Sequence, residues 1–219
     1  MSLPLYGTDS YNEQLGTIGV AFDTRDHEVV PIRGTFDDLS LRCSPGDLGG
    51  PAFCGYNLTL RAYVSLYGRR LHIASRLVGD VLTRRATLLA LPAFGGFEGA
   101  GAMAGSQGIR GVPTGRFAAR TKLLGSAELR SYFLPFKVFR QALTLGAAAF
   151  IDAGRVWTGA LRAEPALDGS GLGLRWGAGA GLRLRWGEAM VIRADLAHSP
   201  WGADLGRAIS THIEVGTPY

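Results

Sequence analysis

Side chains able to do chemistry are spread thinly along this sequence. His27, His72, His198 and His212 fall on different strands and loops of the pattern traced below, so neither a metal pair nor a catalytic triad emerges. Gly95-Gly96 and Gly99-x-Gly101 sit in a loop with no helix after them, which argues against a phosphate cradle. Ser106 and Ser170 have glycine neighbours but form no G-x-S-x-G elbow. Asp37-Asp38 reads as solvation at a strand end rather than as an acid–base pair. Cys43 and Cys54 flank a Gly/Pro-rich loop with neither zinc nor redox spacing. A disulfide there fits an oxidising compartment, and the alternative is two unpaired thiols. The residue types therefore point away from catalysis, and they suggest neither a cofactor nor a metal site.

The elements that carry these residues show in the composition first. The chain has 219 residues, 47% of them hydrophobic and 19% charged, enough for one domain with a sizeable core. Its 32 glycines are about twice the usual share. They follow neither a collagen period nor a Gly/Ser linker, and many alternate with large apolar or charged residues. The net charge of +5 comes mostly from arginine. A basic excess can signal nucleic acid, acidic lipid or an arginine-lined interior. No compact basic run is interleaved with aromatics, which argues against nucleic acid. No run of about 18 apolar residues is present, so a transmembrane helix is excluded, but a membrane-spanning barrel is not. Met1 to Gly7 lacks the basic and apolar regions of a signal peptide, an expectation of a fragment or a misplaced start.

Period-two alternation supplies the elements. From Leu172 to Trp186, Leu172, Leu174, Trp176, Ala178, Ala180, Leu182, Leu184 and Trp186 share one face; glycine and arginine fill the other. An apolar face with tryptophan near both ends, backed by arginine, fits a strand between lipid and a polar lumen. The same alternation predicts strands over 56–67, 71–81, 121–131, 141–152 and 189–197, near 18–25 and over 209–219, with 34–42 the weakest of nine. Connections alternate in length. Those at 26–33, 67–70, 134–140 and 186–188 are short or medium; those at 43–55, 85–120, 158–171 and 198–206 are longer. Outer-membrane barrels sort their periplasmic turns and external loops this way.

Four segments carry a more specific resemblance. Phe22-Asp-Thr-Arg-Asp-His-Glu-Val-Val-Pro-Ile-Arg-Gly34 resembles the D-x-R-(D/N)…P-x-x-G hairpin of the bacterial surface antigen family, the BamA/TamA-like outer-membrane superfamily. Its motif residues here are Asp23, Arg25, Pro31 and Gly34. Gly108-Ile109-Arg110-Gly111 is similar to that family's (V/I)-R-G-(F/Y) external loop, which folds back into the lumen. Ser126-Ala-Glu-Leu-Arg130 and Phe150-Ile-Asp-Ala-Gly-Arg-Val-Trp157 are similar to its E-(L/F/Y)-R strand and F-x-D-x-G-x-V-W strand end. Order and spacing agree from about residue 15 onward. Val112 replaces an aromatic and Tyr219 replaces the commoner phenylalanine.

The resemblance implies an all-β fold: residues 15–219 as the C-terminal part, about nine strands, of an antiparallel transmembrane β-barrel of 16-strand type, with 1–14 left over. It implies a role in inserting outer-membrane proteins, or in moving polypeptide or lipid across that membrane. It also implies that Arg110 reaches acidic groups on the inner wall. The alternation places Glu128 and Asp152 on lumen-facing positions of neighbouring strands, where one planar guanidinium could serve both. The alternative is a solvated loop arginine. Nine strands leave open edges, which lipid does not tolerate, so a missing N-terminal half or a second copy is expected to close the barrel. Expected partners are therefore outer-membrane lipid, that closing half, and unfolded outer-membrane clients that add to a weak seam near Pro218. A passive porin-like or structural barrel, and an anchor for an upstream hydrolase, are the competing readings.

Overall fold

A computed structural model describes residues 12–46, 50–83, 85–97, 101–159, 168–169, 171–203, 206 and 209–216. It contains β1 (Gly16–Asp23), β2 (Gly34–Ser44), β3 (Phe53–Tyr67), β4 (Leu71–Leu82), β5 (Thr121–Val138), β6 (Gln141–Trp157), β7 (Arg175–Trp186), β8 (Met190–His198) and β9 (Ser210–Val215). A four-residue helix, α1 (Pro200–Ala203), precedes β9. All nine strands pair antiparallel, in chain order, as one sheet. Among the described residues the sheet is not closed, and β1 and β9 each pair on one side only. The all-β, nine-strand architecture agrees with the alternation in the sequence.

The polarity of the sheet is inverted relative to a water-soluble protein. Along β3, Asn57, Thr59, Arg61 and Tyr63 are buried, while Tyr56, Leu58, Leu60 and Val64 are exposed. On β4, His72, Arg76 and Asp80 point inward and Leu77 outward; on β5, Lys122, Glu128 and Arg130 point inward and Leu123 and Leu129 outward. Water would penalise that arrangement on both faces, because it exposes apolar area and buries charge. Lipid outside and an ion-paired interior satisfy both. Exposed aromatics gather toward both ends of the strands, Tyr56 and Trp176 at the long-loop end and Phe133, Phe136 and Trp186 at the short-turn end.

The structure corrects four local readings. β7 starts at Arg175, not Leu172, because Gly171 and Gly173 have φ of +62° and +55° and cannot continue a strand. The segment 134–140 is not a loop. β5 runs on through Pro135 to Val138, and the turn is Phe139-Arg140, with φ of +45° and +70°. Pro135 is tolerated because β4 ends its pairing at Leu71↔Ser131, so β5 is an edge beyond that point. β2 extends to Ser44, and its pattern reads weakly because Phe36 faces inward and Asp37 outward. Asp38 is not at a solvated strand end; it is mid-strand, 2% exposed, and accepts the Phe97 backbone N–H at 2.5 Å. Most of residues 1–14, with Ser170, Gly99, Pro218 and Tyr219, lie outside the described residues.

The core lies on the concave side. The long β4–β5 connection crosses it, and Phe94, Met103, Ile109, Val112 and Phe117 pack there against Val78 of β4, Leu124 of β5 and Val156 of β6. Val112, which departs from the family's aromatic, is fully buried in this cluster.

Candidate functional site

The loop tip is a tight local turn. Gly108 N–H donates to Gly105 C=O at 3.1 Å, and Ile109 N–H to Met103 C=O at 3.0 Å. Gly111 has φ of +89°, and a Cβ there would stand 2.8 Å from the His198 carbonyl carbon. That turn projects Arg110 onto the inner wall. Its Nε and Nη2 donate to the two oxygens of Asp152 at 2.8 and 3.0 Å, a bidentate pair. Nη1 donates to Glu128 at 3.0 Å and to Asp195 at 3.2 Å. The guanidinium also lies 3.4 Å from the centroid of the Phe150 ring. Behind Arg110, its carbonyl oxygen presses on Gly177, where a Cβ would come within 2.0 Å.

Glu128 is shared by three cations. Arg183 reaches its Oε1 at 2.8 Å and Arg130 reaches it at 2.9 Å, while Arg110 holds Oε2. Arg183 also donates to Asp195. Three guanidinium groups thus face three carboxylates, all at most 3% exposed. The charges balance, which a buried cluster requires. Glu128 and Asp152 are placed as the alternation suggested. Asp195 and Arg183 were legible only as inward positions, and Phe150 only as part of a motif; nothing in the sequence gives their convergence on Arg110.

Two further anchors hold the same loop. In the first, Asp80 on β4 accepts both Nη atoms of Arg42 at 2.8 and 3.0 Å, and Lys122 Nζ at 3.0 Å. Lys122 also donates to Leu91 C=O at 3.0 Å, and the Gly95 N–H donates to Asp80 at 3.1 Å. Gly95-Gly96 therefore serves as a close contact with the wall, not as a phosphate cradle. In the second, Arg76 of β4 donates to Gln107 C=O, Arg193 of β8 donates to Ser106 C=O and to Glu214, and the Ser106 hydroxyl bonds Glu214 of β9. The Gly111 N–H donates to His212 Nε2 at 3.3 Å. Every strand from β4 to β9 touches the tip.

The hairpin motif stands apart, at the short-turn end. Asp23 accepts the Arg25 backbone N–H at 2.9 Å and two guanidinium donors at 3.0 and 2.8 Å. Arg25 covers the Phe36 ring at 4.5 Å. Asp26 Oδ1 accepts Ile32 and Arg33 N–H groups, and Pro31 is buried. Gly34 has φ of +99° and lies against the Thr24 carbonyl, 2.3 Å from a built Cβ, so only glycine fits. His27 Nδ1 accepts Val29 and Val30 N–H groups, which leaves Nε2 to face Glu188 on the β7–β8 turn at 3.4 Å. Arg69 of the β3–β4 turn also reaches Glu188, at 3.0 Å, and its hydrogen bond, with the charge of His27, holds that carboxyl below the usual carboxylate range. At the opposite end, Cys43 and Cys54 are cross-strand partners joined by a disulfide. The other histidines, His72, His198 and His212, lie on β4, β8 and β9.

The model of the Omp85 superfamily domain matches residues 5–207. Comparison with curated proteins finds no match. The matched span includes eight of the nine strands, the inserted loop and the carboxylates that hold it. Members of that family are non-enzymatic barrel proteins of the bacterial outer membrane. Inverted polarity, open antiparallel pairing and the family match agree, and this chain belongs to the Omp85 superfamily of outer-membrane β-barrels.

Proposed function

We propose that this barrel assists the insertion of outer-membrane proteins, or the passage of polypeptide or lipid across that membrane, by offering an unpaired strand edge to a client. The observation that carries this reading is that β9, which pairs with β8 alone among the described residues, also holds the tip of the inserted loop. Unpaired backbone groups are costly in lipid, so such an edge favours an added strand. An N-terminal barrel half or a second copy supplies the resting partner, and a client replaces it at β9. Glu214 and His212 on β9 bind the tip of the inserted loop, so a change of partner at that edge is felt at Ser106 and Gly111. Catalysis has no part in this role.

The test is cross-linking in native membranes. A cysteine at Thr211 on β9 is expected to form disulfides with cysteines scanned along the last strand of a nascent outer-membrane protein, with a period of two. Absence of any such adduct overturns the reading. A passive porin is the rival, and the occupied lumen counts against it: an ion-conducting pore of steady size in planar bilayers would favour that rival.

A further inference from the structure

One cation interrupts the apolar outer surface of β3–β8. Among the described outward positions of β3–β8, Arg155 is the only Lys, Arg, Asp or Glu. Its neighbours Gly154 and Val156 are buried inward, so alternation places Arg155 outside with Trp157. The guanidinium lies 4.9 Å from the centroid of the Trp157 ring. Its Nε is buried and meets no acceptor among the described residues. A lipid-facing arginine is least unfavourable close to the interface. Arg155 is two positions from the extracellular end of β6, the level at which lipid phosphates lie.

Beside it runs an apolar groove of about 320 Å³, lined by Leu39, Tyr56, Leu58, Gly79, Leu123 and Trp157. The pairing register explains its shape. Leu39, Leu58, Gly79, Leu123 and Arg155 form one row across five strands. Gly79 leaves a notch in that row: a Cβ there would meet only Leu123 Cδ1, at 3.9 Å. The row also climbs. Leu39 lies five positions inside the end of β2 at Ser44, and Arg155 two positions inside the end of β6 at Trp157. The cation is therefore at the headgroup end and the notch lies deeper in the membrane.

We propose that this groove binds one phosphate-bearing lipid of the extracellular leaflet, with an acyl chain in the Gly79 notch and a phosphate accepting hydrogen bonds from Arg155. A guanidinium presents a planar fork of donors that matches phosphate oxygens. Trp157 holds the fork at the rim by cation–π contact. The site is independent of the strand edges, so it stands or falls separately from the assembly role.

Native mass spectrometry of the full chain, released from detergent micelles supplied with lipid A, tests this. One lipid A per chain is expected to remain bound. Arg155→Gln and Gly79→Leu are each expected to lower occupancy roughly tenfold, and Arg155→Lys to retain more than Arg155→Gln. Dephosphorylated lipid A should bind no better to the wild type than lipid A binds to Arg155→Gln. Unchanged occupancy in Arg155→Gln, or equal retention of the dephosphorylated lipid, overturns the proposal. Gly79→Leu points into open space, and heat-modifiable mobility shows that each variant is folded before it is measured.

Discussion

Arg110 concentrates the energetics of the lumen in one residue. Four of its hydrogen bonds end on three carboxylates from β5, β6 and β8, and none of these groups reaches water. Such a pair is worth little against an apolar replacement of the whole cluster, but removal of one member strands the others. Arg110→Met is therefore expected to cost about 3–5 kcal/mol in urea unfolding from detergent micelles. A cost below about 1 kcal/mol would mean that the carboxylates find other partners. Gly177→Val should be nearly as damaging by a steric route, because its Cβ would collide with the Arg110 carbonyl. Glu188 gives a check on the periplasmic side. Its carboxyl is held low by Arg69 first and His27 second, so its contribution is present above the unfolded pKa and fades as pH falls through the lowered folded value. An NMR titration of Arg69→Gln is expected to move the Glu188 pKa upward, and no movement would contradict the assignment.

The inserted loop behaves as one element because its three anchors are spaced along it. Gly95 and Leu91 bind the Asp80–Lys122 group, Ser106 and Gln107 bind Arg193 and Arg76, and Arg110 binds the central cluster. In limited proteolysis of folded protein, Arg110→Glu is expected to open cleavage between residues 101 and 112 while wild type resists. Equal resistance would show that the other two anchors suffice. At the extracellular end, the Cys43–Cys54 bridge spans a sequence separation of 11 across the β2–β3 hairpin. Cross-links of that size contribute about 2–4 kcal/mol, so Cys43→Ser with Cys54→Ser should lower the urea midpoint accordingly. The reduced wild type should match the double variant.

At the scale of the molecule, the inverted polarity makes the environment part of the fold. Exposed Ile18, Val20, Leu58, Leu129, Ile151 and Ile213 form an outer surface that lipid covers. The chain is expected to elute as a defined species in detergent and to aggregate on detergent removal; a stable monomer in plain buffer would contradict the membrane assignment. The lumen is expected to stay closed. In planar bilayers, Arg110→Ala combined with Arg42→Ala should raise conductance well above the wild-type level, because two of the anchors that keep the loop in place are lost together.

Alternation alone was enough to assign the elements and their polarity. Alternation has a period that only strands can use, so Leu58 against Thr59, or Leu129 against Glu128, assigns a face without knowledge of the fold. Alternation also placed Glu128 and Asp152 inward, whereas Arg110 stood out only through the resemblance of Gly108–Gly111 to the family's loop motif. It misjudged Pro135, Leu172 and Asp38, where the deciding factors are the end of a neighbouring strand, the φ angles of two glycines and a backbone donor from a distant loop. That Asp195, 85 positions from Arg110, meets the same guanidinium, and that Asp80 joins Arg42 to Lys122, emerges only in the folded chain. Periodicity fixes which face a side chain takes. Which inward side chains meet depends on sheet curvature and on the path of a loop, and these arise from many pairings at once.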